Sequence, residues 1–318
     1  MSRTRSQHTV LPIPNGWFAV AFSRDLGPGE VRRLRYFDEE LVLFRTRSGE
    51  PKVLDAYCPH LGAHLAEGGR VVGDSIRCPF HGWHFDGHGR CTKIPYCDRI
   101  PPRAAARAWE VVERNRLILV WHHAEDKPPE WDVPELPEFA DPAWTEPRLF
   151  DLEVPVHMQE LHENNNDPVH FHFVHGHMQT APSAEIRFGE GGRTMHMVTP
   201  GRRETPYGTF ETRLETDSWQ LGIAAVRIAG IGDAGLLMFS STSPIDATHS
   251  HSRWVFTVTR DLVDLAGEDF VQGLQTGVLQ DMRIWSNKIH RAQPMYCEAD
   301  ESLVQFRRWA KQFYSDPA

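Results

Sequence analysis

Cys58-Pro59-His60-Leu61-Gly62 and, after seventeen residues beyond His60, Cys78-Pro79-Phe80-His81-Gly82 are two short loops, each offering one thiol and one imidazole. Such paired donors can hold a metal centre, and zinc or an iron–sulfur cluster would accept them. In a Cys2His2 zinc site all four ligands converge on one ion, commonly with the Cys in the first pair and the His in the second. Here the pairs are mixed. A two-iron cluster with two Cys on one iron and two His on the other asks for loops that carry one of each. Pro59 and Pro79 stiffen the loops, while Gly62, Gly68, Gly69 and Gly82 permit tight backbone turns beside a buried group.

With those residues in view, CPHLGAHLAEGG (58–69) and CPFHGWHFDGHG (78–89) closely resemble the Rieske family. The resemblance implies that Cys58 and Cys78 hold one iron of a 2Fe-2S cluster and that His60 and His81 hold the other. Structural zinc is the competing reading. His84, beside the second loop, is read as a hydrogen-bonding neighbour rather than a ligand.

At 318 residues the chain suggests two domains, each able to bury a core. The 34 basic and 43 acidic residues give a formal charge of -9 with no basic block, which argues against nucleic acid or an anionic membrane as a partner. No apolar signal-peptide core follows the polar residues 1–9, and no uncharged apolar run is long enough to span a bilayer, so the expectation is cytoplasmic. Of five Cys, two belong to the loops; Cys91 and Cys97 could pair, but a reduced compartment favours Cys91, Cys97 and Cys297 as free thiols.

From Gly16 to about His122, short runs rich in β-branched and aromatic residues (16–22, 31–36, 41–46, 53–56) are broken by Gly and Pro every eight to twelve residues. This predicts a small all-β module over 1–125, closed by a hairpin of 109–112 and 117–121. Pro128, Pro129, Pro134, Pro137, Pro142 and Pro147 then predict an extended linker over 126–147. The remainder, 148–318, predicts strands at 149–156, 194–198, 219–228, 236–241 and 253–259, then a helix from about Glu268 to Lys288. Strands with a long C-terminal helix predict an α+β domain in which a curved antiparallel sheet wraps a helix around a cavity. Met195, Met197, Ile223, Val226, Ile228 and Met238 are candidates to line it.

Two stretches of the second domain carry chemistry. In Asn164-Asn165-Asn166-Asp167-Pro168-Val169-His170-Phe171-His172-Phe173-Val174-His175-Gly176, a His with another five residues on occurs at 170/175, with like pairs at 157/162 and 172/177. Spacing does not choose among them. Five residues of ideal helix turn about 500°, so both His can reach one metal only if the helix tightens or ends between them. Gly176 is a natural terminator, which favours His170 and His175. The second stretch is Gln280-Asp281. Leu274, Val278 and Trp285 place Asp281 on the apolar face of its helix, where a carboxylate needs a positive partner. The ordinary partner is Arg or Lys. Beside a His pair, a metal becomes the better reading, since two His and one carboxylate make the facial triad of non-heme ferrous oxygenases.

Over nearly its whole length the chain is similar to the terminal oxygenase subunits of Rieske non-heme iron oxygenases. Their Asn-x2-Asp-x2-His-x4-His motif falls on Asn164, Asp167, His170 and His175 without a gap. The resemblance implies a Rieske domain followed by a helix-grip (START-like) catalytic domain, with His170, His175 and Asp281 on a mononuclear Fe(II). It also implies a homotrimer, in which Asp167 bridges electrons from a neighbouring subunit's cluster, with Asn164 close by the ligands. Electrons would come from NAD(P)H through a ferredoxin or ferredoxin reductase, with O2 as co-substrate, monooxygenation being favoured over dioxygenation. His172 and His177 are read as non-ligands, and His162 and Glu163 as neighbours of the site. Residues 131–137 and the Gln280-Asp281 helix look like the branch of 3-ketosteroid hydroxylase oxygenases and cholesterol desaturases, which act on apolar polycyclic substrates. The alternatives are hydroxylation or O- or N-demethylation of a smaller aromatic, or a Rieske electron carrier fused to a lipid-binding module.

Overall fold

The computed structural model describes residues 10–176, 178–180, 184–205, 208–231, 234–267 and 273–315. The chain divides into two compact units, Asn15–Glu135 and Leu136 onward, the segment before Asn15 belonging with the second.

The first unit is built of strands β1 (Gly16–Phe22), β2 (Val31–Tyr36), β3 (Glu39–Arg45), β4 (Pro51–Asp55), β5 (Arg70–Val72), β6 (Ser75–Arg77), β7 (His84–Phe85), β8 (Cys91–Lys93), β9 (Ala108–Trp109), β10 (Val111–Arg114) and β11 (Leu117–His122). They form a three-stranded sheet β1-β11-β10 and two four-stranded sheets, β2-β3-β4-β9 and β5-β6-β7-β8. The closing hairpin turns through Asn115 and Arg116, both at positive φ, the geometry that lets a two-residue turn follow the strand twist. Val42, Phe44, Leu54, Leu65, Ile76 and Phe85 form a core that also takes in Cys58 and Cys78. The two Cys-His loops therefore stand on packed apolar residues.

The proline-rich stretch is more structured than an extended spacer. Trp131 packs edge-on against Trp121 with ring centroids 4.8 Å apart, and Val133 and Leu136 are buried. Apolar residues interleaved with the prolines anchor it, and the division between the units falls after Glu135.

In the second unit, β12 (Arg148–Val154), β13 (Met178–Thr180), β14 (Glu185–Phe188), β15 (Met195–Thr205), β16 (Gly208–Gln220), β17 (Ile223–Ile231), β18 (Ala234–Pro244) and β19 (Ser250–Val258) make one large antiparallel sheet. Its order is β12-β19-β18-β17-β16-β15-β13, with β14 also on β15. The last two strands pair as antiparallel neighbours, Leu236 facing Val258 through to Pro244 facing Ser250. The expected single strand over 219–228 is instead the end of β16, a turn at Leu221-Gly222 and the start of β17. That turn is buried, with Leu221 0% exposed, so no polar residues announce it. β16 itself escapes an apolar-period reading because Thr212, Thr216, Ser218 and Gln220 share its inward face with a single apolar residue among those described, Leu214, alternating with Glu211, Arg213, Glu215 and Asp217.

Among the described residues of this unit the α-helices are α1 (Met158–Asn164), α2 (Arg260–Ala266), α3 (Leu274–Trp285) and α4 (Glu301–Ala310). α3 occupies the described part of the predicted helix; residues 268–272 lie outside the described residues. Val278 and Trp285 of α3 pack with Trp254 and Phe256 of β19, Val154 of β12 and Leu161 of α1. α4 was not anticipated; Phe306 and Trp309 hold it in the core.

Candidate functional site

The two Cys-His loops share one backbone plan. The amides of Gly62 and Gly82 donate to the carbonyls of Cys58 and Cys78, and those Cys amides donate to the carbonyls of Ala63 and Trp83. Both glycines sit near φ +70°, which a side chain would strain. The plan sets the Cys58 and Cys78 thiols against each other as buried, unbridged cysteines. It also brings the His60 and His81 rings to 4.7 Å, with His60 stacked on Trp83 at 4.5 Å. His81 Nδ1 is buried and has no hydrogen-bond partner among the described residues. Burial pushes the Cys58 thiol up to about 11, against the pull of backbone amides at His60 and Leu61. A buried thiol pair beside an imidazole pair with an orphaned nitrogen fits a two-iron, two-sulfide cluster: the metal supplies the charge that makes thiolates stable there. His84 lies in the β7 ladder, pairing with Arg77 and Lys93.

In the second unit, ligand-type atoms of His170, His175 and Asp281 all lie within 4.8 Å of one another. The helix between the two His neither tightens nor ends before His175; it widens. Phe171–His175 is a π turn, closed by the Gly176 amide donating to the Phe171 carbonyl at 3.2 Å, with Gly176 at φ 68°. An i→i+5 turn stacks residues five apart on one face, which an α-helix cannot do. The His170 and His175 rings meet edge to face at 5.2 Å.

Both imidazoles are held by the nitrogen that faces away from the centre. His170 Nδ1 donates to the Asp167 carbonyl and His175 Nδ1 donates to Gln280 Oε1 at 2.8 Å, which leaves each Nε2 a lone pair. Asp281 is 6% exposed. Its partners are Asn164 Nδ2 at 3.0 Å and His175 Nε2 at 3.6 Å; among the described residues no Arg or Lys pairs with it. Burial accordingly pushes its carboxyl up to about 6, and burial lowers His170. Two neutral imidazoles and an under-compensated carboxylate fit a divalent metal that supplies the missing positive charge.

Asn164, at the end of α1, reaches both Asp281 Oδ2 and His170 Nε2, the latter at 3.1 Å. Asp167 contacts His170 through its main chain, while its Oδ1 accepts from the Val169 and His170 amides. His172 is exposed beside Phe173, and His177 lies outside the described residues. His162 and Glu163 have other work: His162 accepts from the Gly222 amide and bonds Ser218, and Glu163 pairs with Arg307. Gln280 is the site residue whose role the sequence did not disclose, since its partner lies 105 residues away.

The triad opens into a cavity of about 430 Å³. Val226, Ile228, Leu236, Met238 and Trp254 form its floor and α3 its roof, with Phe171 beside the His pair. The floor residues share a face because Val226 pairs with Met238, and Ile228 with Leu236, across β17 and β18. Met195, Met197 and Ile223 are buried core and not among the described lining residues.

Residues 16–106 match the Rieske [2Fe-2S] domain family, and residues 120–314 match the 3-ketosteroid 9alpha-hydroxylase C-terminal domain family. The chain is 33% identical to a probable 3-ketosteroid-9-alpha-monooxygenase, oxygenase component, of Rhodococcus rhodochrous, over 95% of this chain and 80% of that protein. It is 31% identical to cholesterol 7-desaturase nvd 1 of Ciona intestinalis, over 96% of this chain and 69% of that protein. The fold is similar to a crystal structure of dicamba monooxygenase bound to dicamba, with a TM-score of 0.79 at 20% identity over 94% of this chain and 97% of that one.

Proposed function

This chain belongs to the Rieske oxygenases with a 3-ketosteroid 9alpha-hydroxylase C-terminal domain, and from that premise we propose that it is a terminal oxygenase that hydroxylates or desaturates a steroid. The observation that carries the proposal is the convergence of His170, His175 and Asp281 at an apolar cavity of about 430 Å³. A cavity of that size falls in the range that encloses a substrate molecule. Its relatives that act on 3-ketosteroids and cholesterol supply the substrate class.

In this reading Cys58, Cys78, His60 and His81 hold the cluster, and His170, His175 and Asp281 hold the mononuclear iron. When bound, the two groups supply one-electron transfer and dioxygen activation. The protein's part is positional. Val226, Ile228, Leu236, Met238 and Trp254 take up the apolar skeleton and exclude water, which points one carbon at the triad. The Asp167 carbonyl and Gln280 Oε1 keep both imidazoles in the tautomer that presents Nε2. Asn164 donates to Asp281 Oδ2, and its contact with His170 Nε2 uses the lone pair that a metal would take and would be given up on loading.

The proposal extends to a homotrimer in which Asp167 would bridge a cluster-holding histidine of a neighbouring copy and His170, so that the two metal sites would lie within electron-transfer reach. It includes a separate ferredoxin or ferredoxin reductase drawing on NAD(P)H, and a cytoplasmic setting that keeps Cys91, Cys97 and Cys297 reduced. The test is oxygen uptake with a surrogate reductase and ferredoxin, offered a 3-ketosteroid, cholesterol, or small methoxylated and N-methylated aromatics. Steroid-dependent uptake matched by hydroxylated or desaturated product is expected, lost in His170→Ala while the cluster spectrum persists. Demethylation of the aromatics instead would overturn the substrate class. About two irons per fully loaded chain rather than about three, with no uptake, would turn the reading to an electron carrier.

A further inference from the structure

One face of α3 is shaped around His175. Gly277, Gln280 and Asp281 stand at positions i, i+3 and i+4, which a helix brings onto a single stripe. A Cβ built on Gly277 would lie 3.9 Å from His175 Cε1, so the helix backbone comes close enough to serve as a wall for the ring. Next to that wall, Gln280 Oε1 accepts from His175 Nδ1 at 2.8 Å. One residue on, Asp281 Oδ1 lies 3.6 Å from His175 Nε2. The helix thus meets the imidazole at both nitrogens.

We propose that Gln280 is a positioning residue for the metal site: its amide oxygen fixes the tautomer and the ring angle of His175, so that α3 supplies a ligand and also aims the ligand opposite. The inference rests on the reading of His170, His175 and Asp281 as a metal triad. Gln280 also lines the cavity. With Oε1 taken by His175, its NH2 end is the part left to donate to an occupant, so substitutions that keep the acceptor and lose the donor separate the two capacities. Glu keeps an acceptor at that place; Leu keeps the size and offers none.

The experiment uses full-length protein with its cluster intact and the triad metal removed by chelation, titrated anaerobically with cobalt(II) and followed by its visible bands. Gln280→Leu should weaken cobalt binding by about tenfold, the lower end of the range for loss of a histidine's outer partner, because this hydrogen bond is open to solvent. Gln280→Glu should restore it close to the unsubstituted level. The cluster absorbance reports that each variant is folded. Gln280→Leu binding cobalt as tightly as the unsubstituted protein would overturn the inference while leaving the triad reading in place. Equal weakening in Gln280→Glu would overturn it too, since the acceptor would then not be what matters. Cobalt binding that is unaffected by His170→Ala would overturn the triad reading itself, and the inference with it.

Discussion

Asp281 carries two demands that a bound cation would reconcile. It sits on the buried stripe of α3 between Val278 and Trp285, and its neighbours Asn164 and His175 return less than burial takes away. A carboxyl raised to about 6 from 3.8 takes stability from the fold as pH rises past its unfolded value, and the full cost is reached once it is ionised in the fold, above about 6. Asp281→Asn removes that cost at almost constant volume. The metal-free variant should therefore be more stable than the parent at pH 7, by on the order of 1–2 kcal/mol in urea unfolding, and should no longer retain ferrous iron. A variant both less stable and still iron-loaded would mean that Asp281 is an ordinary structural acid.

Between elements, a buried ionic cluster ties α1 to the chain that follows α3. Glu160, 1% exposed, meets His290 Nδ1 at 2.7 Å and Lys288 Nζ at 2.6 Å, and Glu163 meets Arg307 of α4 at 2.6 Å. α1 ends in Asn164, which touches two of the triad residues, so the cluster fixes the helix that aims that amide. Charge partners hold Glu160 at about 2 despite burial. Glu160→Ala leaves Lys288 and His290 facing no carboxylate there, and should cost about 3 kcal/mol in denaturant unfolding, as removal of one partner from a buried pair does. A loss under about 1 kcal/mol, the level of an exposed pair, would show that the cluster is solvated. The π turn is the other decisive element: it alone lets His170 and His175 share a face, and Gly176 closes it.

At the scale of the unit from Leu136 onward, buried histidines set the acid limit. Burial lowers His157 to about 4, His162 to about 3 and His251 to about 4. Each is neutral in the fold, whereas its unfolded counterpart protonates below about 6.5. Unfolding therefore takes up protons as pH falls below that value, and the stability these groups allow above it is lost progressively down to the folded pKa values. The slope is up to about 1.4 kcal/mol per pH unit for each histidine, partly offset by Asp281 in the metal-free chain, which binds its proton more readily folded than unfolded. The urea midpoint of this unit should fall clearly between pH 7 and pH 5. An unchanged midpoint would mean that these histidines are charged or solvated in the folded protein.

The local chemistry was determined by the sequence itself. The Cys-His loops, the strands of the first unit, the α3 stripe and the division of the chain into a β-rich unit and an α+β unit all depend on residue spacing and side-chain size, which the chain states directly. The buried turn at Leu221-Gly222, the Thr- and Ser-faced strand β16 and the anchored proline stretch were hidden because burial replaced the polar and apolar signals that usually mark such features. What only the tertiary structure decided was the company each residue keeps. Spacing alone left three histidine pairs open and Gly176 favoured 170/175, but how the two rings come together was set by the widened turn after His170, a backbone state that spacing does not encode. Among the described residues Asp281 has no Arg or Lys partner; the folded chain brings Asn164 and His175 to it instead. Gln280 reaches His175 across 105 residues of sequence. Contacts at such separations follow from sheet order and helix packing, and no local pattern records them.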